Sequence, residues 1–252
     1  MADGQQVLED ERRGFNGWRK RAIVKVGKKL RRHFDKVIAR YSDIPTSPII
    51  PNDVLPWARP LEENWQVIRG DLLRMLEERD RIPPLASISP DHRKIARGDE
   101  WRSFFFWAYG NRIDENCARC PDTARLVDAI PDLVTAFFSI LDPGSHIPPH
   151  RGVTKAIFNS HLGLIVPADA EKCWIEIDGV RHGWSEGRLM AFDDTYRHEV
   201  RNQTDAQRVV LLVQTRRPVR YPGKLAADVF LGGVRHSPFI GDGMKNLARW
   251  GR

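Results

Sequence analysis

From Val134 onward the chain breaks into short apolar runs rich in β-branched and aromatic residues, each closed by turn residues. The runs are Val134–Leu141, Ala156–Val166, Cys173–Ile177, Leu189–Phe192 and Arg208–Gln214. Pro143-Gly144, Gly183 and Gly187 punctuate them, and Asp178-Gly179 is the dipeptide that a tight hairpin turn favours. Such runs are too short, and too closely spaced, to alternate with the crossover helices of a doubly wound sheet. Many short strands in the C-terminal half predict a jelly roll or barrel.

The N-terminal part reads as helical. Ile23, Val26, Leu30, Phe34, Val37 and Tyr41 recur at steps of three and four, so Trp18–Tyr41 is expected to form an amphipathic helix. Its other face is basic: residues 19–40 hold ten Lys or Arg and one acid, Asp35. Ser42–Pro60 contains five prolines and must be extended or turning. Leu61, Trp65, Ile68, Leu72 and Leu76 predict a helix over Leu61–Arg81. Another starts after Pro121, where Asp122 can cap it and Leu126, Val127 and Ile130 face inward. The expected organisation is a basic helix and Pro-rich linker over 1–60, then one domain over 61–252, its β core spanning about 134–218.

Composition excludes several classes. No apolar run reaches the ~18 residues of a bilayer span, and the polar first residues lack the apolar stretch of a secretory signal. Three cysteines argue for a reducing compartment, so cytoplasmic residence is expected. The net charge of +7 is concentrated: residues 19–40 carry +9, which leaves −2 for the rest. A nucleic-acid partner is not expected from so local a charge. Peripheral contact with an anionic inner-membrane surface through residues 19–40 fits it better, although the same helix can pack on the domain with its charges in solvent.

Five of the eight histidines lie between residues 146 and 198, in the β-rich zone. Two histidines and a carboxylate commonly hold Fe(II) in oxygenases, the carboxylate two positions after the first histidine. After His150 that position is Gly152. Spacing alone therefore makes His150 with the distant His198 a weak metal signal.

The surrounding motifs strengthen it. Ser139-Ile-Leu-Asp-Pro-Gly-Ser-His-Ile-Pro-Pro-His150-Arg-Gly, His161-Leu-Gly-Leu-Ile-Val-Pro167, Trp184-Ser-Glu-Gly187, Phe192-Asp-Asp-Thr-Tyr-Arg-His198-Glu and Arg208-Val-Val-Leu follow one another in order. Together they resemble the aspartyl/asparaginyl β-hydroxylase family over roughly Cys117–Pro218. The resemblance implies a double-stranded β-helix (jelly roll, cupin-like) core and an Fe(II)- and 2-oxoglutarate-dependent dioxygenase that uses O2 to hydroxylate an unactivated C–H. It implies iron held by two histidines without a carboxylate, His150 and His198, which are also the catalytic centre. It implies 2-oxoglutarate contacts at Ser139, His161 and Arg208. A guanidinium suits a carboxylate because it offers a forked pair of donors, although Arg208 read alone could form a surface ion pair. Family members commonly carry an arginine where this chain has Asn159, which can hydrogen-bond a carboxylate but brings no charge. Lys155 or Arg151 could supply the charge instead.

Other signals are weaker. Asp193 or Asp194 could orient an imidazole or cap a turn. Cys117-Ala-Arg-Cys120 lacks the further ligands that structural zinc needs, and reads as a loop entering a helix. Phe104–Trp107 and Tyr109 read as a buried strand. His146, His182 and His236 have no evident partners. The leading substrate class is a bacterial lipid acyl chain, with Asp or Asn in a polypeptide or a free amino acid second. A non-catalytic jelly-roll binding module is the competing reading from another class.

Overall fold

The computed structural model describes residues 31–88, 95–96, 98–235, 241 and 243–247. Residues 31–40 are helical (α1). Then follow β1 (Ile49–Ile50), α2 (Ala58–Glu63), α3 (Trp65–Glu77), α4 (Leu85–Ile88), β2 (Trp101–Ala108), β3 (Asn111–Arg112), α5 (Asp114–Arg119) and α6 (Pro121–Asp128). The β-rich half supplies β4 (Leu133–Leu141), β5 (His146–His150), β6 (Ile157–Ile165), β7 (Cys173–Ile177), β8 (Val180–His182), β9 (Leu189–Phe192), β10 (His198–Asn202) and β11 (Arg208–Arg216), before α7 (Gly223–Arg235).

The strands form a seven-stranded sheet, β1-β9-β6-β11-β4-β2-β3, and a four-stranded sheet, β5-β10-β7-β8. Pairing between these strands is antiparallel, and sequence neighbours are repeatedly separated by a strand from elsewhere. This is the crossed connectivity of a jelly roll, a double-stranded β-helix.

Alternation sorts the side chains into two layers. Phe105, Phe137, Leu141, Val210 and Phe192 of the large sheet meet Ile147, Ile175, Ile177 and Val200 of the small one, between the sheets. Phe104, Phe106, Phe138, Ile140, Phe158, Leu162, Val209 and Leu211 point the other way and pack under α2, α3 and α6. Both faces of the large sheet are therefore covered. Burying a side chain such as Phe106 or Phe138, each 0% exposed, contributes about 1.5–3 kcal/mol before conformational entropy is counted.

Four sequence expectations need adjustment. The helix expected over Leu61–Arg81 is two helices broken at Asn64, whose Nδ2 donates to the Pro60 carbonyl. Asp122 does not cap α6. Cys120 is its N-cap residue with no side-chain cap, and the buried carboxylate of Asp71 on α3 accepts from Thr123 N–H (2.8 Å) and Thr123 Oγ1 (2.7 Å). Ser42–Pro60 is built into the fold, since Ile49 and Ile50 pair with Phe192 and Ala191 at the edge of the large sheet. The jelly roll also reaches upstream of residue 134, because β2 pairs with β4. The Asp178-Gly179 turn does join β7 to β8, both residues at positive φ.

The expected basic helix is described only from residue 31; Trp18–Leu30 lies outside the described residues. Phe34, Val37 and Ile38 pack against Ala226, Ala227 and Leu231 of α7. That part of the apolar stripe belongs to the fold.

Candidate functional site

His150 ends β5 and His198 begins β10, and the two are register partners across the small sheet. Their ring centroids are 4.1 Å apart. His150 Nδ1 lies 2.9 Å from the Pro148 carbonyl and His198 Nδ1 2.9 Å from the Tyr196 carbonyl. A carbonyl only accepts, so each Nδ1 carries the proton and each Nε2 presents its lone pair. Burial lowers the pKa of both rings. His198 falls to about 4, first through burial and then through the neighbouring His150. Both are neutral near pH 7, as metal ligation requires. Among the described residues no group of three or more His, Cys, Asp or Glu forms a metal cluster, so a metal here would rest on two protein ligands.

A cationic corner lies on the same inward face of the large sheet. Arg208 is 1% exposed, yet no carboxylate among the described residues pairs with it. Its guanidinium sits 4.6 Å over the Trp184 ring, Nη1 donates to the Ser139 carbonyl at 3.5 Å, and Nε has no partner. Desolvation pulls its pKa to about 10. A buried, unpaired guanidinium is costly unless an anion arrives to meet it. Ser139 Oγ accepts from Trp101 Nε1 (3.0 Å), which leaves its own proton to donate. Ser103 is the register partner of Ser139, and its buried hydroxyl has no partner.

His161 completes this wall from β6. Its Nδ1 accepts from Trp184 Nε1 at 3.3 Å, which places the ring proton on Nε2. Full burial, then Arg208 and His198, keep it well below the ordinary histidine pKa. Phe192 sets its edge against both His161 (5.1 Å) and His198 (5.5 Å), so one ring spaces the two histidines. The structure thus brings His150, His198, His161, Ser139 and Arg208 to the interior between the sheets.

Asn159 is placed differently from the other three cosubstrate candidates. Its Oδ1 accepts from Gln214 Nε2 (3.0 Å), and its Nδ2 donates to Asp194 Oδ2 (3.3 Å). Both ends of the amide are engaged within the protein. Lys155 and Arg151 do not supply charge to the Arg208 corner either. Lys155 Nζ is held by Asp193 at 2.7 Å, and Arg151 donates to the Thr195 carbonyl at 3.0 Å.

Neither acid before His198 orients an imidazole, since backbone carbonyls do that. Asp193 is fully buried, bound by Lys155 and by Arg217 (2.7 Å), and caps the Thr195 N–H and hydroxyl. The Asp194 carboxyl is raised to about 7, by burial and then by Asp193. Cys117 and Cys120 are free and buried, the first inside α5 and the second leading α6. His146 does have a partner, Glu199 at 2.8 Å, and His236 lies outside the described residues. Sequence reasoning missed Trp101, Ser103 and the Lys155–Asp193–Arg217 cluster. Alternation in β2, which turns Trp101, Ser103 and Phe105 to one face, was the available signal for the first two.

A jelly roll holding two neutral imidazoles and a buried unpaired arginine between its sheets defines a class: a two-histidine jelly-roll centre. The aspartyl/asparaginyl beta-hydroxylase family profile matches residues 62–218, and the chain belongs to that family of hydroxylases. It is 35% identical over 211 residues to the ornithine lipid ester-linked acyl 2-hydroxylase of Rhizobium tropici, covering 84% of this chain and 75% of that one. It is 28% identical over 169 residues to the human aspartyl/asparaginyl beta-hydroxylase, covering 65% of this chain but 21% of that longer protein. Among solved structures, a Pseudomonas putida prolyl-4-hydroxylase superposes with a TM-score of 0.38 at 19% identity, covering 61% of this chain and 88% of that one.

Proposed function

We propose that this protein is an Fe(II)- and 2-oxoglutarate-dependent dioxygenase that hydroxylates an unactivated C–H on a bacterial lipid acyl chain. The observation that carries this reading is Arg208, a buried cation with no anion among the described residues, on the wall facing two imidazoles with bare Nε2 atoms. A dicarboxylate that both chelates a metal and carries a distal charge meets both needs. The overall reaction is R–H + O2 + 2-oxoglutarate giving R–OH + succinate + CO2.

Fe(II) and 2-oxoglutarate, when bound, supply the dioxygen activation that side chains cannot. His150 and His198 hold the metal through Nε2, their tautomers fixed by the Pro148 and Tyr196 carbonyls. Arg208 takes the distal carboxylate and Ser139 adds a hydroxyl donor. His161 Nε2–H is a donor for the metal-binding end. Phe192, Trp184 and Ile147 exclude water around these groups.

Similarity to a lipid acyl 2-hydroxylase over most of both chains favours a lipid over the alternative, Asp or Asn in a polypeptide or a free amino acid. Retention of both histidines and Arg208 argues against a binding module without chemistry. The proposed location is the cytoplasm, peripheral to the inner membrane; no described helix is long and apolar enough to cross a bilayer. The test is 2-oxoglutarate turnover with and without Fe(II), combined with mass spectrometry of lipid extracts and tryptic peptides from cells with and without the gene. One added oxygen on an acyl chain supports the lipid reading; one on Asp or Asn supports the alternative. Absence of Fe(II)-dependent turnover removes the dioxygenase assignment.

A further inference from the structure

Helices α1 and α7 run antiparallel. Phe34 meets Phe230 at 6.0 Å between ring centroids, and at the other end a Cβ on Gly223 would lie 2.8 Å from Tyr41 Cβ. Each helix keeps a stripe in solvent, and the two stripes differ in kind. On α1, Arg32, Lys36 and Arg40 recur every four residues, are exposed, and make no ion pair among the described residues. The one acid of that helix, Asp35, is turned inward, accepting from Thr154 Oγ1 (2.9 Å) and Lys155 N–H (2.8 Å). On α7, Leu225 and Val229 are 52% and 55% exposed, and Tyr221, in the turn before, is 77% exposed.

The same face reaches the functional site. Thr154, which α1 holds through Asp35, follows His150 by four residues, and Val153 between them is 52% exposed. Four of the seven large hydrophobics exposed among the described residues therefore lie on α7, on the turn before it and on the loop after His150. Arg220 pairs with Asp43, and Asp228 is shared by Lys224 and Arg216, so α1 carries the basic stripe that pairs with no acid among the described residues.

We infer that α1, α7 and the 151–154 loop form the face by which this protein docks on an anionic lipid bilayer. An unpaired basic stripe supplies attraction to anionic headgroups, while branched and aromatic side chains beside it enter the acyl boundary. A protein partner would have to match both stripes with acidic and apolar groups of its own; an anionic bilayer presents that pairing along its whole surface. Docking here would bring the loop following His150 to the membrane, so that an acyl chain travels a short way to the site. The inference deepens the lipid reading and rests on it.

The experiment uses the full chain with Val229→Cys, labelled with an environment-sensitive fluorophore. The native cysteines are buried and Cys117, Cys120 and Cys173 are held above the ordinary thiol pKa, so the introduced thiol reacts selectively. A second labelled variant, Val180→Cys on β8, is the control, since Val180 is 57% exposed but belongs to the small sheet. Vesicles of phosphatidylcholine with phosphatidylglycerol should blue-shift the probe at 229 and leave the one at 180 unchanged; pure phosphatidylcholine should do much less. Reversing Arg32, Lys36 and Arg40 to Glu should weaken binding at least about tenfold, with circular dichroism confirming the fold. Three results overturn the inference: a shift at 180 and none at 229, a 229 probe already blue-shifted without vesicles because the chain or a second copy covers it, or unchanged binding after charge reversal. Because the vesicle assay is run without Fe(II) or 2-oxoglutarate, it reads docking alone and not turnover. Fe(II)-dependent 2-oxoglutarate turnover by the charge-reversed variant in detergent reports on that reading separately.

Discussion

The carboxylate of Asp194 occupies the space that any side chain on residue 152 would need. A β-carbon built on Gly152 would lie 2.2 Å from Asp194 Cγ and Oδ1, while the Gly152 N–H donates to the Asp194 main-chain carbonyl at 2.6 Å. Residue 152 stands two positions after His150, where oxygenases that use two histidines and a carboxylate carry the carboxylate ligand. Here an acid stands beside that point, delivered from the turn before His198. The first prediction follows: Gly152→Asp should lose at least about 2 kcal/mol of stability, through overlap and like charge. The double variant Gly152→Asp/Asp194→Gly should recover most of it. Urea unfolding of the four proteins of the cycle measures this, and an unaffected single variant would contradict the packing described.

Removing either imidazole should abolish Fe(II)-dependent 2-oxoglutarate consumption. On the proposed two-ligand site, His150→Ala and His198→Ala each remove half of the protein ligands, and bound iron should fall with activity. Full turnover by either variant, with iron retained, would move the metal site elsewhere.

Arg208→Met should separate cosubstrate binding from stability. Loss of a charge-assisted, forked contact to a carboxylate should weaken 2-oxoglutarate binding by about 30-fold to 1,000-fold. The protein without cosubstrate should be no less stable than wild type, because the substitution replaces an unpaired buried cation by an apolar chain of similar length. Titration calorimetry and thermal unfolding read the two effects. Normal cosubstrate affinity in Arg208→Met would place the distal carboxylate at another residue.

Two groups should tie the stability of the metal-free protein to pH with opposite signs. His198 has its folded pKa depressed from 6.5 to about 4, so its contribution is present above pH 6.5 and is lost as pH falls towards 4. Its share is on the order of 3 kcal/mol. Asp194 has its folded pKa raised from 3.8 to about 7; the unfolded chain releases this proton more readily, so stability falls as pH rises from about 4 to 7. His198→Gln should therefore lose less stability than wild type on acidification through this window. Asp194→Asn should remove the opposing decline and gain on wild type at pH 7. Denaturant unfolding at several pH values tests both, and parallel curves for all three proteins would refute the burial of these groups.

The chain itself determined the class of fold and most of the site's chemistry. Its β4, β6, β7, β9 and β11 segments are legible because their residues are apolar and β-favouring, and local texture of that kind survives without knowledge of partners. The ordered motifs likewise named His150, His198, Ser139, His161 and Arg208. What sequence could not show is the pair of strands on which the two histidines sit. β5 reads His-Ile-Pro-Pro-His and β10 His-Glu-Val-Arg-Asn, with little apolar alternation in either. β5 tolerates two prolines because it lies at the sheet edge, where a missing N–H breaks no ladder on one side, and edge position is a tertiary fact. Only tertiary structure decided that Asn159 is bonded to Gln214 and Asp194, that Asp193 is neutralised by Lys155 and Arg217, and that Arg208 meets no anion among the described residues. Each depends on side chains distant in sequence meeting where water is excluded, and no local pattern encodes which of them meet.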